Sequence, residues 1–375
     1  VSPFLALYMN QVLGAPMTLV GLVLLVAGLA GAAGSFVGGV IADARGRRNV
    51  MVVSMITRSL SFVALAVIIT VMPELWLISA LLALNFFLGG AFDPANNAMV
   101  ADVVEPSRQL EAYGLLRVAW NLGFAVGPAI GGLIVVFSYN LAFLASAGVS
   151  MIAALIVLFF LKESYVPKPG SRKERLKLDL SGISLPFMAF CIFCVPMFIM
   201  AGQFGTTFPV YANERLGIDS FVIGIVYGIN GLMVALIQLP LARWLSRYNM
   251  FSAMLFGTLV YALGFFSLAL IWGGWGLALS MVVITIGEMI VTPVATSLTA
   301  AYSHVDDRGR YMGVFGLVAS LGWFTSSLIG GIVYDNASSS LLLWGIMALL
   351  GATTALGMAL LWRRSKVSGG IGSAA

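Results

Sequence analysis

The chain has 375 residues, of which 60% are hydrophobic and 9% charged, with a net charge of +5. A soluble domain carries about 25% charged residues. So few charges exclude a solvated globular surface, and most of this surface must face lipid. The apolar stretches run to about 20–27 residues, the length that crosses a hydrocarbon core about 30 Å thick. Barrel strands would be shorter and would alternate, and these stretches do neither.

In chain order, a short fragment at 1–10 is followed by predicted spans at 17–42, 49–71, 75–101, 111–137 and 140–161. A polar segment occupies 162–182. A second set follows at 183–211, 219–243, 250–272, 275–301, 311–334 and 340–362. The pattern predicts an all-α polytopic membrane protein with a helix bundle at 1–161, a linker at 162–182, a second bundle at 183–362 and a tail at 363–375. Of 20 Lys and Arg, Arg58 and Arg117 fall within spans, Arg215 lies in one set of connections, and all others lie in the alternate set. The positive-inside rule places that rich set, the linker and the C-terminus in the cytoplasm. The absence of organellar targeting and the compact loops point to a prokaryotic inner membrane.

An internal repeat relates the two sets. Tyr8-x-Asn10-x-x-Leu13-Gly14 recurs as Tyr211-x-Asn213-x-x-Leu216-Gly217 at an offset of 203. Ala42 through Asn49 aligns with Ala242 through Asn249 at 200, and Pro94 with Pro293 and Gly131-Gly132 with Gly330-Gly331 at 199. Two parallel halves of six helices are predicted. On this reading the helix ending near Asn10 lacks its first part, about 15–20 residues.

Cys191 and Cys194 share one apolar span and read as small packing residues. No metal-ligand cluster, phosphate loop or nucleophile with a histidine partner is found, so neither an enzyme, a cofactor, a metal site nor a nucleic-acid partner is expected. The single histidine, His304, reads as a solvated loop residue.

Between the second and third helices lies Gly39-Val-Ile-Ala-Asp43-Ala-Arg45-Gly46-Arg47-Arg48. By itself it reads as a positive-inside anchor with a neutralising acid. The pattern resembles the cytoplasmic loop motif of the major facilitator superfamily. That resemblance implies a two-bundle fold, and an acid, Asp43, that helps close the cytoplasmic side by facing a helix start in the second half, here near Tyr311. The second copy has Arg243 in place of the acid.

The fifth helix carries Arg117-x-x-x-Asn121-x-Gly123-x-x-x-Gly127-Pro128-x-x-Gly131-Gly132. Glycines so spaced make a smooth face for tight packing, and Pro128 bends the helix. The run is similar to the motif of the superfamily's drug–proton antiporter branch. That branch carries an arginine in the fourth helix four residues before a glycine; here Asn85 stands there, before Gly89.

Ionisable groups at membrane depth are costly unless paired or wet. Glu288 lies in a polar stripe of Thr285, Thr292, Thr296 and Thr299 on one face of the tenth helix, beside Pro293. It is the leading candidate proton carrier. Asp93 shares a face with Asn85 and Asn96, and Arg117 is its expected partner; Arg58 is expected to snorkel to the membrane edge. Asn85, Phe92, Asn96, Gln203, Phe204, Tyr227, Asn230 and Thr292 are candidate cavity residues, with Phe208 beside them. The resemblance implies a lipid-embedded monomer that exchanges protons for small amphipathic compounds, drugs included, by alternating access. A proton-coupled nutrient importer, and a lipid flippase or non-transporting scaffold, are the alternatives.

Overall fold

The computed structural model describes residues 2–105, 108–164, 183–303 and 308–367. The side chains of Arg117, Arg308 and Lys366, all of His304, most of the linker, from 165 on, and the tail beyond 367 lie outside the described residues.

Helix α1 (Ser2–Leu7) passes into a π turn, Tyr8–Val12. The rest of the first half is α2 (Met17–Arg45), α3 (Arg47–Val71), α4 (Leu75–Gly90), α5 (Phe92–Val103), α6 (Gln109–Phe137) and α7 (Tyr139–Phe160). The second half is α8 (Leu185–Gly202), a 3₁₀ turn Gln203–Gly205, α9 (Thr207–Glu214), α10 (Ser220–Leu245), α11 (Met250–Ser267), α12 (Gly273–Tyr302), α13 (Arg308–Asn336) and α14 (Ser340–Val367). Among the described residues, 11 helical segments are long and apolar enough to cross a membrane.

Two expected spans are broken, and proline explains both. Pro94 has no N–H for the Gly90 carbonyl and its ring crowds that carbonyl, so α4 ends at Gly90 and α5 restarts at Phe92. Pro209 acts likewise on Gly205, where the 3₁₀ turn separates α8 from α9.

The repeat is a repeated helix stop. Gly14 and Gly217 take φ of +65° and +66°, the left-handed conformation that closes a helix. The Asn10 side chain donates to the Ala15 carbonyl at 2.9 Å, and Asn213 does the same to Ile218 at 2.8 Å. Asparagine and glycine therefore recur because each closes the same turn in its half.

Within the first half α3 packs on α7 and α4, and α2 on α4. In the second, α11 packs on α12 and α14, and α8 on α13 and α14. The halves meet along α2–α13 and α6–α10. At these crossings glycine brings backbone against backbone. A Cβ at Gly21 would collide with the Ser327 carbonyl, and one at Gly331 with that of Met17. Gly132 comes nearly as close to the Ser220 carbonyl, and Gly224 to that of Pro128, where a Cβ would stand 2.5 and 2.7 Å away. At the repeat offsets Gly21 corresponds to Gly224 and Gly132 to Gly331, so the two crossings are one contact used twice.

These contacts lie at the end away from the basic connections. Helix α6 buries Pro128, Gly131, Gly132 and Val135, whereas its described side chains from Ala112 to Gly127 are half-buried or exposed. Helix α10 buries most of Ser220–Gly231 and is half-buried or exposed from Leu232 to Trp244. The halves are closed at the far end and splayed at the basic end.

Candidate functional site

A cavity of about 370 Å³ lies between the halves. Trp120 and Asn121 of α6 face Phe198 of α8, Phe204 of the 3₁₀ turn, Asn230 and Gln238 of α10, Tyr261 of α11, Glu288 and Thr292 of α12, and Trp323 of α13. Among the described residues this lining carries one carboxylate, Glu288, and no basic side chain. Asn230 orients it: the Asn230 Nδ2 donates to Glu288 Oε2 at 2.9 Å and to Thr285 Oγ1 at 3.0 Å. The polar stripe on α12 is exposed at Thr292 and Thr296 and buried at Thr285 and Thr299.

Pro293 leaves the Met289 carbonyl of α12 without its helical donor. Gln238 supplies one, donating from Nε2 at 3.0 Å. Asn230 and Gln238 thus tie α10 to α12 on either side of Glu288.

Phe204, Asn230 and Thr292 lie in the lining of this cavity. Gln203 and Tyr227 are outside that lining and fully buried. Gln203 donates to the Ile199 and Ser326 carbonyls at 2.9 and 3.0 Å and accepts from Thr207 at 2.6 Å, so its amide is spent on packing. The Tyr227 hydroxyl donates to the Phe204 carbonyl, and its ring meets Phe204 edge-on at 4.6 Å. Phe208 stacks on Phe204 from the buried side.

The first half holds a different arrangement. Arg58 of α3 turns inward instead of snorkelling. Its side chain crosses Gly89, where a Cβ would stand 2.9 Å from Cδ and 3.0 Å from Nε. The guanidinium lies 5.7 Å from the Phe62 ring centroid and within electrostatic reach of Asp93. Arg58 therefore stands beside Asp93; the side chain of Arg117, the partner expected from the sequence, lies outside the described residues. Asn85 is fully buried next to it, donating to Ser61 Oγ at 2.7 Å, while its Oδ1 has no partner among the described residues. Arg58 and Asn85 border a second cavity of about 560 Å³ inside the first half, walled also by Gly127 and Gly131. Phe92 packs on the small cluster around Ala95 and Met99, and Asn96 is half-buried.

The glycine motif divides in two. Pro128 and Gly132 cross α10, as a smooth packing face requires, but Gly123 and Gly127 have no atom within 4 Å of where a Cβ would stand. The expected tight face is confined to the far-end turn, because the splay moves the rest of α6 away from its neighbours.

At the basic end, Arg47 joins Asp43 at 3.1 Å to Asp102 at 3.0 Å. Glu163 caps α3: its carboxylate accepts from the Arg47 N–H at 2.8 Å and the Arg48 and Asn49 N–H groups at 3.4 Å. Gly46, at φ +106°, is required both for its left-handed backbone and because the Glu163 carboxylate fills the space a Cβ would take. Arg48 donates to the Leu158 carbonyl, Gly39 rests on Pro94, and Arg45 is exposed. Asp102 and Glu163 escaped the sequence reading, since neither lies in the loop motif. Tyr311 sits in an aromatic cluster of the second half, its hydroxyl accepting from the Ser184 N–H at 3.0 Å and its ring 4.5 Å from Phe187.

Cys191 and Cys194 are buried and unoxidised, and no group of acidic, histidine or cysteine side chains among the described residues has the makings of a metal site.

Comparison with known proteins agrees with this architecture. The chain is 26% identical to the multidrug resistance protein MdtH of Yersinia enterocolitica over 96% of its own length and 89% of that protein's. It is 25% identical to the uncharacterized MFS-type transporter YqjV of Bacillus subtilis, over 95% and 87% of the two chains. In fold it is similar to the nucleoside transporter NupG, with a TM-score of 0.78, 16% identity and coverage of 96% and 94%. It is likewise similar to a peptide transporter POT in complex with sulfate, at 0.74, 17%, 99% and 91%. The profile described as the Major Facilitator Superfamily matches residues 1–323 and again 188–375. The chain belongs to that superfamily and is an integral membrane secondary transporter of small molecules, not an enzyme.

Proposed function

We propose that the protein exports small amphipathic cations in exchange for protons, with Glu288 as the shared binding group. The observation that carries this reading is the cavity itself. A single carboxylate, held by Asn230, faces a wall of Trp120, Trp323, Phe198 and Tyr261 with no basic side chain among the described lining. Aromatic faces and one carboxylate suit a lipophilic cation, and about 370 Å³ suits a drug-sized one.

Exchange follows from electrostatics. An ionised carboxylate at membrane depth is costly, and a proton or a bound cation lowers that cost. Both compete for the same oxygens, so arrival of one releases the other. Asp93, facing Arg58, is a second acid through which a proton passes in the first half, and Arg117 belongs to the same path. Asp43 and the arginines beside it gate the basic end. By the positive-inside rule that end is cytoplasmic, in the inner membrane of a bacterium, and the cavity opens inward. One chain supplies both walls, so a monomer suffices. The distant relatives named as multidrug resistance proteins support the substrate class.

The test uses the full-length protein in proteoliposomes with an internal pH dye. Adding a lipophilic cation is expected to move protons, and Glu288→Gln to abolish that movement while cation binding weakens. Cation-driven proton flux that survives in Glu288→Gln would remove the assignment.

A further inference from the structure

The far end is closed by a charged group as well as by glycine. Asp335 lies one residue from the end of α13, and its carboxylate reaches into the other half. Oδ1 accepts from the Met17 N–H at 2.9 Å and Oδ2 from the Thr18 N–H at 2.6 Å. These are the first two amides of α2, which have no acceptor within their own helix and stand at its positive pole. Hydrogen bonds to an ionised acceptor are the strong kind.

The repeat shows what is unusual here. At an offset of 203, Pro16 before α2 corresponds to Asp219 before α10. Asp219 caps its own helix, accepting from the Phe221 N–H at 2.7 Å. Pro16 has no side-chain oxygen and makes no cap. At the offset of 199, Val136 of α6 stands where α13 carries Asp335. The first half has thus lost its local cap and the second half carries the acid that replaces it. A cap meant only to stabilise α2 would be better placed beside it, as Asp219 is beside α10.

We infer that Asp335 is the gate residue of the far end: it caps α2 only while the two halves are closed there. Opening that end separates α13 from α2 and strips α2 of its cap, so helix capping and gate closure are one event. Removing the charge, or giving α2 a cap of its own, therefore favours opening by about ten-fold, the size of an ordinary charged cap.

The experiment uses the full chain in lipid nanodiscs, with Cys191 and Cys194 replaced by Ala. Spin labels at Val12→Cys and Leu341→Cys report the far end, and labels at Asn49→Cys and Tyr248→Cys the basic end; all four positions are exposed. Electron–electron resonance distances are compared among the parent, Asp335→Asn, Pro16→Asp and the double variant. Asp335→Asn is expected to raise the long-distance population at the far end about ten-fold and to shorten the basic-end distance. Pro16→Asp keeps Asp335 but frees α2 from needing it, and is expected to shift both distances the same way. The double variant stays open. An unchanged distribution in Asp335→Asn, or a return to the parent distribution on adding Pro16→Asp, would show Asp335 to be a structural cap and overturn the inference. Should Asp335→Asn not fold, Pro16→Asp alone decides: no shift toward the open far end refutes the gate.

Discussion

The two ends of the transport path are built on different principles. At the far end the halves touch backbone to backbone through Gly21, Gly132, Gly224 and Gly331, with Asp335 spanning the gap. At the basic end the contacts described above each stay within one half. Arg47 joins Asp43 to Asp102 and Glu163 caps α3 in the first half, while Tyr311 and Phe187 pack together in the second. The difference teaches where the work of closure falls. The ion pairs and cap described at the basic end lie within the first half and survive its parting, whereas the far end can part only by losing a steric fit and a cap.

The most severe way to break this asymmetry is Gly331→Val. Its Cβ would run into the Met17 carbonyl, a collision that only separation of α2 from α13 relieves. Overpacking of this kind costs about 1–3 kcal/mol. We expect the far end to stand open, with the cavity reactive from that side to an impermeant thiol reagent at Thr292→Cys, and transport lost. Glu163→Gln acts at the other end and is smaller. It removes the charge from the α3 cap, worth about 1 kcal/mol, and should lower the melting temperature while leaving far-end reactivity at its parental level. A change at the far end would show the ends to be coupled more tightly than their separate networks imply. The mildest is Gly127→Ala. With nothing within 4 Å, the methyl group meets no obstacle in this state and should raise stability by about 0.5–1 kcal/mol through helix propensity. If α6 packs tightly there when the basic end closes, transport falls even as the melting temperature rises; equal gains in both would mean Gly127 faces space throughout the cycle.

Much of the fold was legible because lipid imposes long apolar spans and because the halves repeat. Asn10-Gly14 and Asn213-Gly217 announce a helix stop in each half, and Glu288 stands out as an acid in an apolar run. The broken spans were less visible: Pro94 and Pro209 are plain in the sequence, but whether a proline bends or breaks a helix depends on what else receives the freed carbonyl. In α12 Gln238 receives it and the helix continues. Arg58 was misplaced because a long side chain near a span end reads equally as an edge anchor, and the room that draws it inward belongs to Gly89 on another helix. Asp335 left no trace in its own neighbourhood, since its partners are backbone N–H groups 317 and 318 residues away. The signal available was an absence, Pro16 standing where the repeat puts Asp219.

The glycine crossings also make the molecule a lever. From Gly21 to the end of α2 at Arg45 is about 36 Å of rigid helix at 1.5 Å per residue. A tilt of about 10° about that crossing carries the basic end through about 6 Å, enough to admit or exclude an aromatic ring. The fulcrum itself barely moves, which is why it tolerates no side chain while the far tips of the same helices carry exposed ones. The mechanical advantage of the transporter is set by how near to one end its glycines lie.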